Sequence, residues 1–283
     1  MGDPVDNQNV GTFWDHLDVL RSCLFKIALV TVSLSVVAFC FKDLLFSIVL
    51  APCESDFITY RFLGLHPDRV GLMNIGLTEQ FMIHMKTAFY AGFLLSSPYI
   101  LYQIFCFVSP GLYENERKYA VKLVGGVYIM FMIGTLLNYL AIFPMTVNFL
   151  GNYKVSEEVA NMLTLQSYMD TLLMMNLVMG IVFELPMICW ILAKLGLIND
   201  KFMRAYRRHA IVIILIASAI ITPTGDAFTL SIVSLPIWML YEISILIVSR
   251  AQKNRLRNDD EEDNDSDTED EEPSKDITVD MTE

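Results

Sequence analysis

Carboxylates next to basic residues occur at the edges of two apolar stretches in this chain of 283 residues. Asp18 precedes Arg21, and Glu114 and Glu116 precede Arg117. Clustered carboxylates at an interface bind guanidinium groups through paired, charge-assisted hydrogen bonds. The alternative is ordinary surface charge, and the spacing alone does not decide between the two.

Two further carboxylates, Glu184 and Glu242, lie inside apolar stretches. Placing an acid in hydrocarbon costs about 2.5 to 3.5 kcal/mol on insertion scales, so each should be protonated, paired or facing water. Pro186 lacks a backbone N–H and should kink the helix beside Glu184. These acids are either hydrogen-bonded across helices, or they form a polar surface for a cavity, a substrate or a partner helix.

The sequence has no arrangement typical of an enzyme. It shows no Ser-His-Asp set, nucleotide-binding loop or paired intramembrane aspartates. The cysteines are scattered without the spacing of metal ligands. The histidines lie in four different segments: His16, His66, His84 and His209. We therefore expect no catalytic residues, no metal site and no cofactor.

The composition indicates an integral membrane protein, because 54% of the residues are hydrophobic and 18% are charged. A helix needs about 20 apolar residues to cross the hydrocarbon core. This predicts an all-α fold of six transmembrane helices within residues 24–248. The predicted spans are about 24–41, 79–98, 119–143, 167–193, 210–221 and 227–248. Residues 1–23 precede the spans and residues 249–283 follow them.

Several features predict irregular spans. The second span carries Glu79, His84 and Lys86, which should be hidden from lipid against protein or water. Pro98 and Pro144 are predicted to end helices, with an interfacial segment over 99–118. The fifth run would cover only about 18 Å, so it either crosses a thinned bilayer or does not cross fully. The expected bundle is kinked and cupped, with short fifth and sixth helices.

The basic residues predict the orientation. Fifteen basic residues fall on one side of the membrane in the predicted topology, four fall on the other, and Lys86 lies inside a span. The positive-inside rule then places both termini in the cytoplasm. The four are Lys42, Arg61, Arg69 and Lys154.

The net charge of −12 comes from the carboxyl-terminal segment, where residues 259–283 contain 14 acids and one base, Lys275. So few apolar groups cannot form a core. We expect 249–283 to be a cytoplasmic disordered segment, first basic and then acidic.

Motifs through the chain resemble those of the TatC family. HLDVLR (16–21) is similar to the family's amino-terminal HL-x-E-L-R signature, and SPYILYQIFCFVSPGLYENERK (97–118) to its first cytoplasmic loop. FMIGTLLNYLAIFP (131–144) and VFELP (182–186) resemble its third span and fourth-helix motif. TPTGDAF and LPIWMLYEI complete the series. The resemblance covers about residues 12 to 250.

The resemblance implies a translocase subunit of the bacterial inner membrane. Such a subunit binds twin-arginine signal peptides of folded proteins and exports them with TatA/TatB-type single-span partners, using the proton-motive force. It also implies self-association in the lipid bilayer and no nucleic-acid partner. A small-solute transporter and a membrane scaffold are the alternatives. A transporter would be favoured by inverted repeats, and none is visible.

The resemblance also assigns site residues. Glu184 corresponds to the family's intramembrane glutamate, with Pro186 and Glu242 as further intramembrane polar or transport positions. Where the family has glutamate before Leu-Arg, this chain has Val19, and the nearest acid is Asp18. Adjacent helical residues point about 100° apart, which puts the role of Asp18 in question. The implied signal-peptide site comprises His16, Asp18, Arg21, Glu114, Glu116 and Arg117.

Overall fold

The computed structural model describes residues 13–64, 70–108, 120–153, 156, 163–194, 196–222 and 225–269. These residues are mainly α-helical. The helices are α1 Phe13–Cys40, α2 Lys42–Leu50, α3 Ile58–Leu63, α4 Glu79–Val108, α5 Ala120–Leu137, α6 Phe143–Asn152, α7 Leu165–Val182, α8 Leu185–Lys194, α9 Asp200–Ala205, α10 Arg207–Ile221 and α11 Ala227–Glu269. A π-helical turn, Asn138–Ile142, joins α5 to α6, and short strands β1 (Leu72–Met73) and β2 (Leu163–Thr164) pair in parallel.

Five stretches are long and apolar enough to cross a membrane within the described part of the chain. They are Leu17–Cys40, Glu79–Phe107, Val124–Asn152, Leu165–Lys194 and Ala227–Lys253. They agree with the predicted first, second, third, fourth and sixth spans, and the multi-pass α-helical architecture is confirmed. The predicted fifth span corresponds to α10, whose 15 residues are shorter than a usual crossing.

Two predicted helix ends are wrong, because hydroxyl groups compensate for the prolines there. Pro98 lies inside α4, where the Ser97 hydroxyl donates to the Leu94 carbonyl at 2.7 Å, the group that Pro98 leaves without an N–H. The Thr59 hydroxyl likewise donates to the Leu140 carbonyl, four residues before Pro144. Such replacements allow proline within membrane helices. The predicted interfacial segment is therefore helical up to Val108, and the third span continues to Asn152.

The sixth helix is not short, which corrects another expectation. Helix α11 has 43 residues and reaches Glu269, so the described structure is helical over much of the segment predicted to be disordered. Residues 249–257 are mostly good helix formers, and no glycine or proline follows Pro236 until Pro273. Disorder stays a prediction for residues 270–283, which lie outside the described residues.

The chain divides into two compact units. The first comprises residues 1–184 and 213–237, and the second comprises 185–212 and 238–283. In the second unit, Ala193, Met203, Ile245 and Val248 form a buried apolar cluster. The Tyr241 hydroxyl donates to the Met203 carbonyl at 2.8 Å, which joins α11 to α9.

In the first unit, α1 packs closely on α4 because small residues face each other. A Cβ atom at Gly92 would lie 2.2 Å from Ser35 Oγ, so no larger residue fits there without movement. One turn away on each helix, the buried Thr31 and Ser96 hydroxyls share a hydrogen bond of 3.0 Å. Small residues and hydroxyl hydrogen bonds are the usual means of holding helices together in membranes.

Helices α5 and α7 approach at Gly134 and Gly180. A Cβ atom at Gly134 would lie 2.7 Å from the Met179 carbonyl oxygen, and one at Gly180 would lie 2.6 Å from the Phe131 ring. Each glycine therefore accommodates groups of the opposite helix. This close crossing positions the carboxylate described below, because Glu184 follows Gly180 by about one turn.

We expect Gly180→Leu to destabilise the protein by about 1 to 3 kcal/mol, because the added side chain must displace Phe131. Gly125→Leu is the matched control, since a Cβ atom at Gly125 would meet no atom within 4 Å. Thermal unfolding of both variants in detergent measures the difference. Equal melting temperatures would contradict the proposed close packing.

Tyr60 connects the segment between the first and second spans to the third span. Its buried hydroxyl lies 3.1 Å from the Pro52 carbonyl oxygen and 2.9 Å from that of Pro144, which act as acceptors. Burial, with a smaller effect of nearby Cys53, raises the pKa of Tyr60 to about 12. The neutral hydroxyl therefore persists as the donor, and its contribution to stability is lost only as the pH rises from about 10 through 12.

Candidate functional site

Half of the predicted signal-peptide site lies outside the described residues, namely Glu114, Glu116 and Arg117. His16 is on α1, within a part of the helix whose side chains are not described. Asp18 and Arg21 lie on the same helix with exposed side chains. The structure therefore describes the surroundings of Asp18 and Arg21, and all six assignments stay predictions.

A cavity of about 460 Å³ opens between α1 and α4 at the predicted cytoplasmic end of both helices. Asp18 and Val19 both line this cavity, although adjacent helical residues point in different directions. The carboxylate of Asp18 is therefore available to the same space as the residue at the family's glutamate position. The full lining is Asp18, Val19, Ser22, Cys23, Lys26, Gln103, Cys106 and Phe107.

The cavity combines polar and apolar groups from two helices. Gln103 and Phe107 lie four residues apart on α4 and so share one face, opposite Asp18 and Val19 on α1. The Cys23 thiol donates to the Gln103 carbonyl at 3.5 Å, which holds the two walls together. Such a cavity can pair a guanidinium with a carboxylate and place apolar atoms against Phe107.

Sequence reasoning missed Gln103 and Phe107 as residues of this cavity. Both stand in the run SPYILYQIFCFV, and their spacing places them on one helical face. That pattern could have indicated a shared wall. The sequence does not show that α1 lies opposite this face of α4; only the packing of the two helices in the structure shows it.

Glu184 lies where the fourth span is interrupted. Helix α7 ends at Val182 and α8 begins at Leu185, with Pro186 buried as its second residue. This confirms the irregularity predicted beside the proline. Both carboxyl oxygens of Glu184 are buried, and the backbone of Phe131 on α5 is a polar group that interacts with them. Both alternatives for Glu184, a structural acid held across helices and a polar surface used in transport, stay open.

A second polar contact joins α7 to the π-helical turn that follows α5. Asn138 Nδ2 donates to Asn176 Oδ1 at 2.6 Å, and both side chains are buried. Asn138 begins the π-helical turn, a geometry that frequently marks functional sites. Its own Oδ1 lacks a partner in the described structure.

Glu242 differs from Glu184 because it is paired. Its Oε2 atom lies 2.7 Å from Nη2 of Arg207 in the second unit. The pair offsets the cost of placing the acid in an apolar helix. This ion pair is consistent with the structural alternative for Glu242, and a role in transport stays a prediction.

The polar residues of the second span contact protein, as expected. Lys86 pairs with Asp170 at 2.8 Å, and the His84 ring stacks on Phe39 with centroids 4.0 Å apart. The Glu79 carboxylate accepts backbone N–H groups from Ile75, Gly76 and Gln166 at 2.8 to 3.2 Å. These links tie the starts of α4 and α7 together beside the pair of short strands.

The described residues contain no cluster of three or more histidine, cysteine or acidic side chains that could hold a metal ion. The groups capable of chemistry in the described part of the chain are carboxylates, ion pairs and a cavity lined by polar and apolar side chains.

Comparison with known families matches residues 15–236 to the model of the Sec-independent protein translocase protein TatC. The chain belongs to the TatC family. TatC of Blattabacterium is 31% identical over 265 residues, covering 88% of this chain and 99% of its own length. TatC of Campylobacter jejuni is 32% identical over 236 residues, covering 83% and 92%.

Solved structures agree with this assignment. A crystal structure described as the twin-arginine translocase receptor TatC is 31% identical, with a TM-score of 0.69. The alignment covers 83% of this chain and 99% of that one. A second such structure, in the detergent DDM, is 30% identical with a TM-score of 0.70.

Membership defines the general role of the chain. It is a multi-pass protein of the bacterial inner membrane that takes part in protein transport by the Tat translocase, together with other subunits. The family is a translocase family and not one of catalytic enzymes. The resemblance inferred from the motifs is confirmed.

Proposed function

We propose that this chain is the receptor that binds twin-arginine signal peptides of folded proteins in the Tat translocase. The observation that carries the proposal is the cavity between α1 and α4, which Asp18 lines in the region matched to the family. A carboxylate in the wall of a partly apolar cavity suits a guanidinium followed by apolar residues. The relatives described as translocase receptors support the same role.

The two arginines are bound by carboxylates from two segments. Asp18 supplies one carboxylate from α1, and Glu116, with Glu114 close in sequence, supplies the others. Planar guanidinium groups form paired hydrogen bonds with carboxylates, whereas a lysine ammonium acts as a point charge. His16, Arg21 and Arg117 complete the proposed surface, with the bases orienting the acids.

The proposed topology has six spans with both termini in the cytoplasm, and α10 forms the fifth. Fifteen basic residues fall on the cytoplasmic side in this arrangement and four on the other. The 15 residues of α10 cover about 22 Å, so the bilayer is thinned beside this helix.

Reporter fusions test this topology. Fusions after Arg250 and near Arg207 should behave as cytoplasmic, and fusions near Arg61 and Lys154 as periplasmic, because the basic asymmetry sets the orientation. Alkaline phosphatase and a fluorescent protein give opposite readouts at each site. A periplasmic carboxyl terminus would contradict the six-span arrangement.

Transport itself is proposed to use the proton-motive force and single-span partners of the TatA/TatB type. Self-association of the receptor in the bilayer is part of this proposal. Glu184 supports it, because a buried carboxylate beside the break in the fourth span can meet a polar group of a partner helix, of the passing chain or of water.

Export in cells tests the proposed function as a whole. In a bacterium lacking its own TatC-family protein, this chain and its partners should export a folded fluorescent reporter that carries a twin-arginine signal. The same reporter with twin lysine should stay in the cytoplasm. Equal export of both reporters would contradict selective recognition of arginine.

A further inference from the structure

Helix α9 is held at the level where two apolar stretches end. Met203 of α9 is buried in the apolar cluster of the second unit, together with Ala193 of α8 and Val248 of α11. Ala193 is one residue before the end of the fourth apolar stretch, and Val248 is five residues before the end of the last one. The residues around Met203 therefore lie at the boundary between the hydrocarbon and the lipid headgroups.

Three neighbouring rings form an exposed row beside Met203. The ring centroids of Phe202 and Tyr206 are 4.5 Å apart, and those of Tyr206 and His209 are 5.4 Å apart. Phe202 and Tyr206 are 56% and 49% exposed. The Tyr206 N–H donates to the Phe202 carbonyl and the Ala210 N–H to the Tyr206 carbonyl, so the chain stays helical from α9 into α10. The three rings therefore share one side of this helical segment.

The bases around the ring row are only partly matched by acids. Residues 194–212 contain five bases and one acid, Asp200. Arg204 Nε lies 3.6 Å from a carboxylate oxygen of Asp200, and Arg207 pairs with Glu242 at 2.7 Å. These two arginines are neutralised within the protein.

Lys201 and Arg208 differ from them, because neither forms an ion pair with any residue that the structure describes, and both are exposed. They are seven residues, or two helical turns, apart and so lie on one side of the segment. Their sequence neighbours Phe202 and His209 place the ring row on the adjoining side. We call Lys201, Phe202, Tyr206, Arg208 and His209 the aromatic–basic surface.

We propose that the aromatic–basic surface binds an anionic phospholipid of the surrounding bilayer. The lipid phosphate interacts with Lys201 and Arg208, whose long side chains can converge on it, and the acyl chains begin against Phe202 and Tyr206. Guanidinium groups form paired hydrogen bonds with phosphate oxygens. Aromatic residues are enriched at the headgroup level, and basic clusters there attract anionic lipids. This site shares no residue with the cavity between α1 and α4, and it does not depend on peptide binding.

Charge and distance disfavour two other occupants. A cationic signal peptide would meet Lys201 and Arg208 as repulsive charges. The acidic segment of the chain itself begins at Asp259, eleven residues after Val248 on α11, which runs as one helix. Eleven residues of helix cover about 16 Å, so these acids begin well beyond the level at which Val248 packs with α9.

Lipid titration of the full-length chain tests the site. The purified protein in a neutral detergent is titrated with phosphatidylglycerol and with phosphatidylcholine of the same acyl chains, and native mass spectrometry gives each dissociation constant. The parent should bind phosphatidylglycerol about tenfold more tightly. The double variant Lys201→Gln/Arg208→Gln should reduce that preference to about twofold or less. Lys201→Arg/Arg208→Lys keeps both charges and should retain it.

Control variants separate a site from general surface charge. Arg204→Gln removes one charge from the same helix at a base already paired with Asp200, and should keep the parent's preference. Phe202→Ala should weaken the binding of both lipids alike, because it removes apolar contact without changing charge. A double variant that prefers phosphatidylglycerol as strongly as the parent would overturn the inference. So would a loss in Arg204→Gln equal to that in Lys201→Gln or Arg208→Gln.

Three further measurements distinguish the lipid from other occupants. Glycerol phosphate, which has the charge but no acyl chains, should not displace the lipid, and displacement would reveal a simple anion site instead. Truncation after Arg257 should leave the lipid preference unchanged. A tenfold gain in phosphatidylglycerol affinity on truncation would make the acidic segment the occupant and overturn the proposal. Twin-arginine peptide binding should be equal in the parent and the double variant, and its loss in the double variant would make the peptide the occupant.

Discussion

Glu116→Lys is expected to abolish binding of a twin-arginine peptide, and Glu116→Ala to weaken it about ten- to a hundredfold. Losing one well-placed charged partner costs about 1.5 to 3 kcal/mol, which gives that range. The lysine variant adds a repulsive charge at the same point. Titration of a labelled peptide against the inserted, correctly folded variants measures both effects.

Asp18→Ala provides the comparison, with an expected loss of about three- to tenfold. Its side chain is exposed, so solvent screens its interaction with a guanidinium. Asp43→Ala, at the start of α2 and outside the cavity, is a matched control that should bind like the parent. If Glu116→Lys binds like the parent, the assignment to Glu116 is wrong. If Asp18→Ala is the more damaging change, α1 carries the main arginine contact.

Glu184→Ala is expected to reduce the export rate about tenfold or more, while signal-peptide binding changes little. Tenfold corresponds to about 1.4 kcal/mol of barrier stabilisation. The carboxylate is buried where α7 ends, and it does not line the cavity proposed to bind the peptide. Export of a reporter and peptide titration, measured on the same membranes, separate the two steps.

Two further variants define what the carboxylate does. Glu184→Gln keeps the shape and one acceptor, so full activity would show that the group works uncharged. Glu242→Gln is the matched control, because Glu242 already pairs with Arg207 and its loss should affect stability more than export. Unchanged export by Glu184→Ala would return this acid to a structural role.

Five of the six spans predicted from hydropathy correspond to long apolar helices in the described structure. Such spans can be predicted because length and composition are enough to recognise them. The ends of the second and third spans could not be predicted in this way. Pro144 is tolerated because Thr59, 81 residues before its acceptor Leu140, supplies the missing donor. Ser97 could have been noticed, since it precedes Pro98 and reaches the Leu94 carbonyl within one turn.

The sequence predicted those parts of the candidate site that depend on neighbouring residues in the chain. Pro186, which lacks a backbone N–H, indicated an interruption beside Glu184, and the structure has the break there. The cavity depends on which faces of α1 and α4 meet, so the sequence did not show that Asp18 and Val19 share it. The partner of Glu242 was missed for the same reason, because Arg207 lies on another helix.

The most direct test of the central claim is the affinity of the inserted parent protein for one signal peptide in two forms. The peptides differ only in twin arginine against twin lysine, so total charge is unchanged. Because carboxylates pair with planar guanidinium groups in two-point contacts, we expect the arginine form to bind at least about tenfold more tightly. Equal affinity for the two peptides would contradict the account.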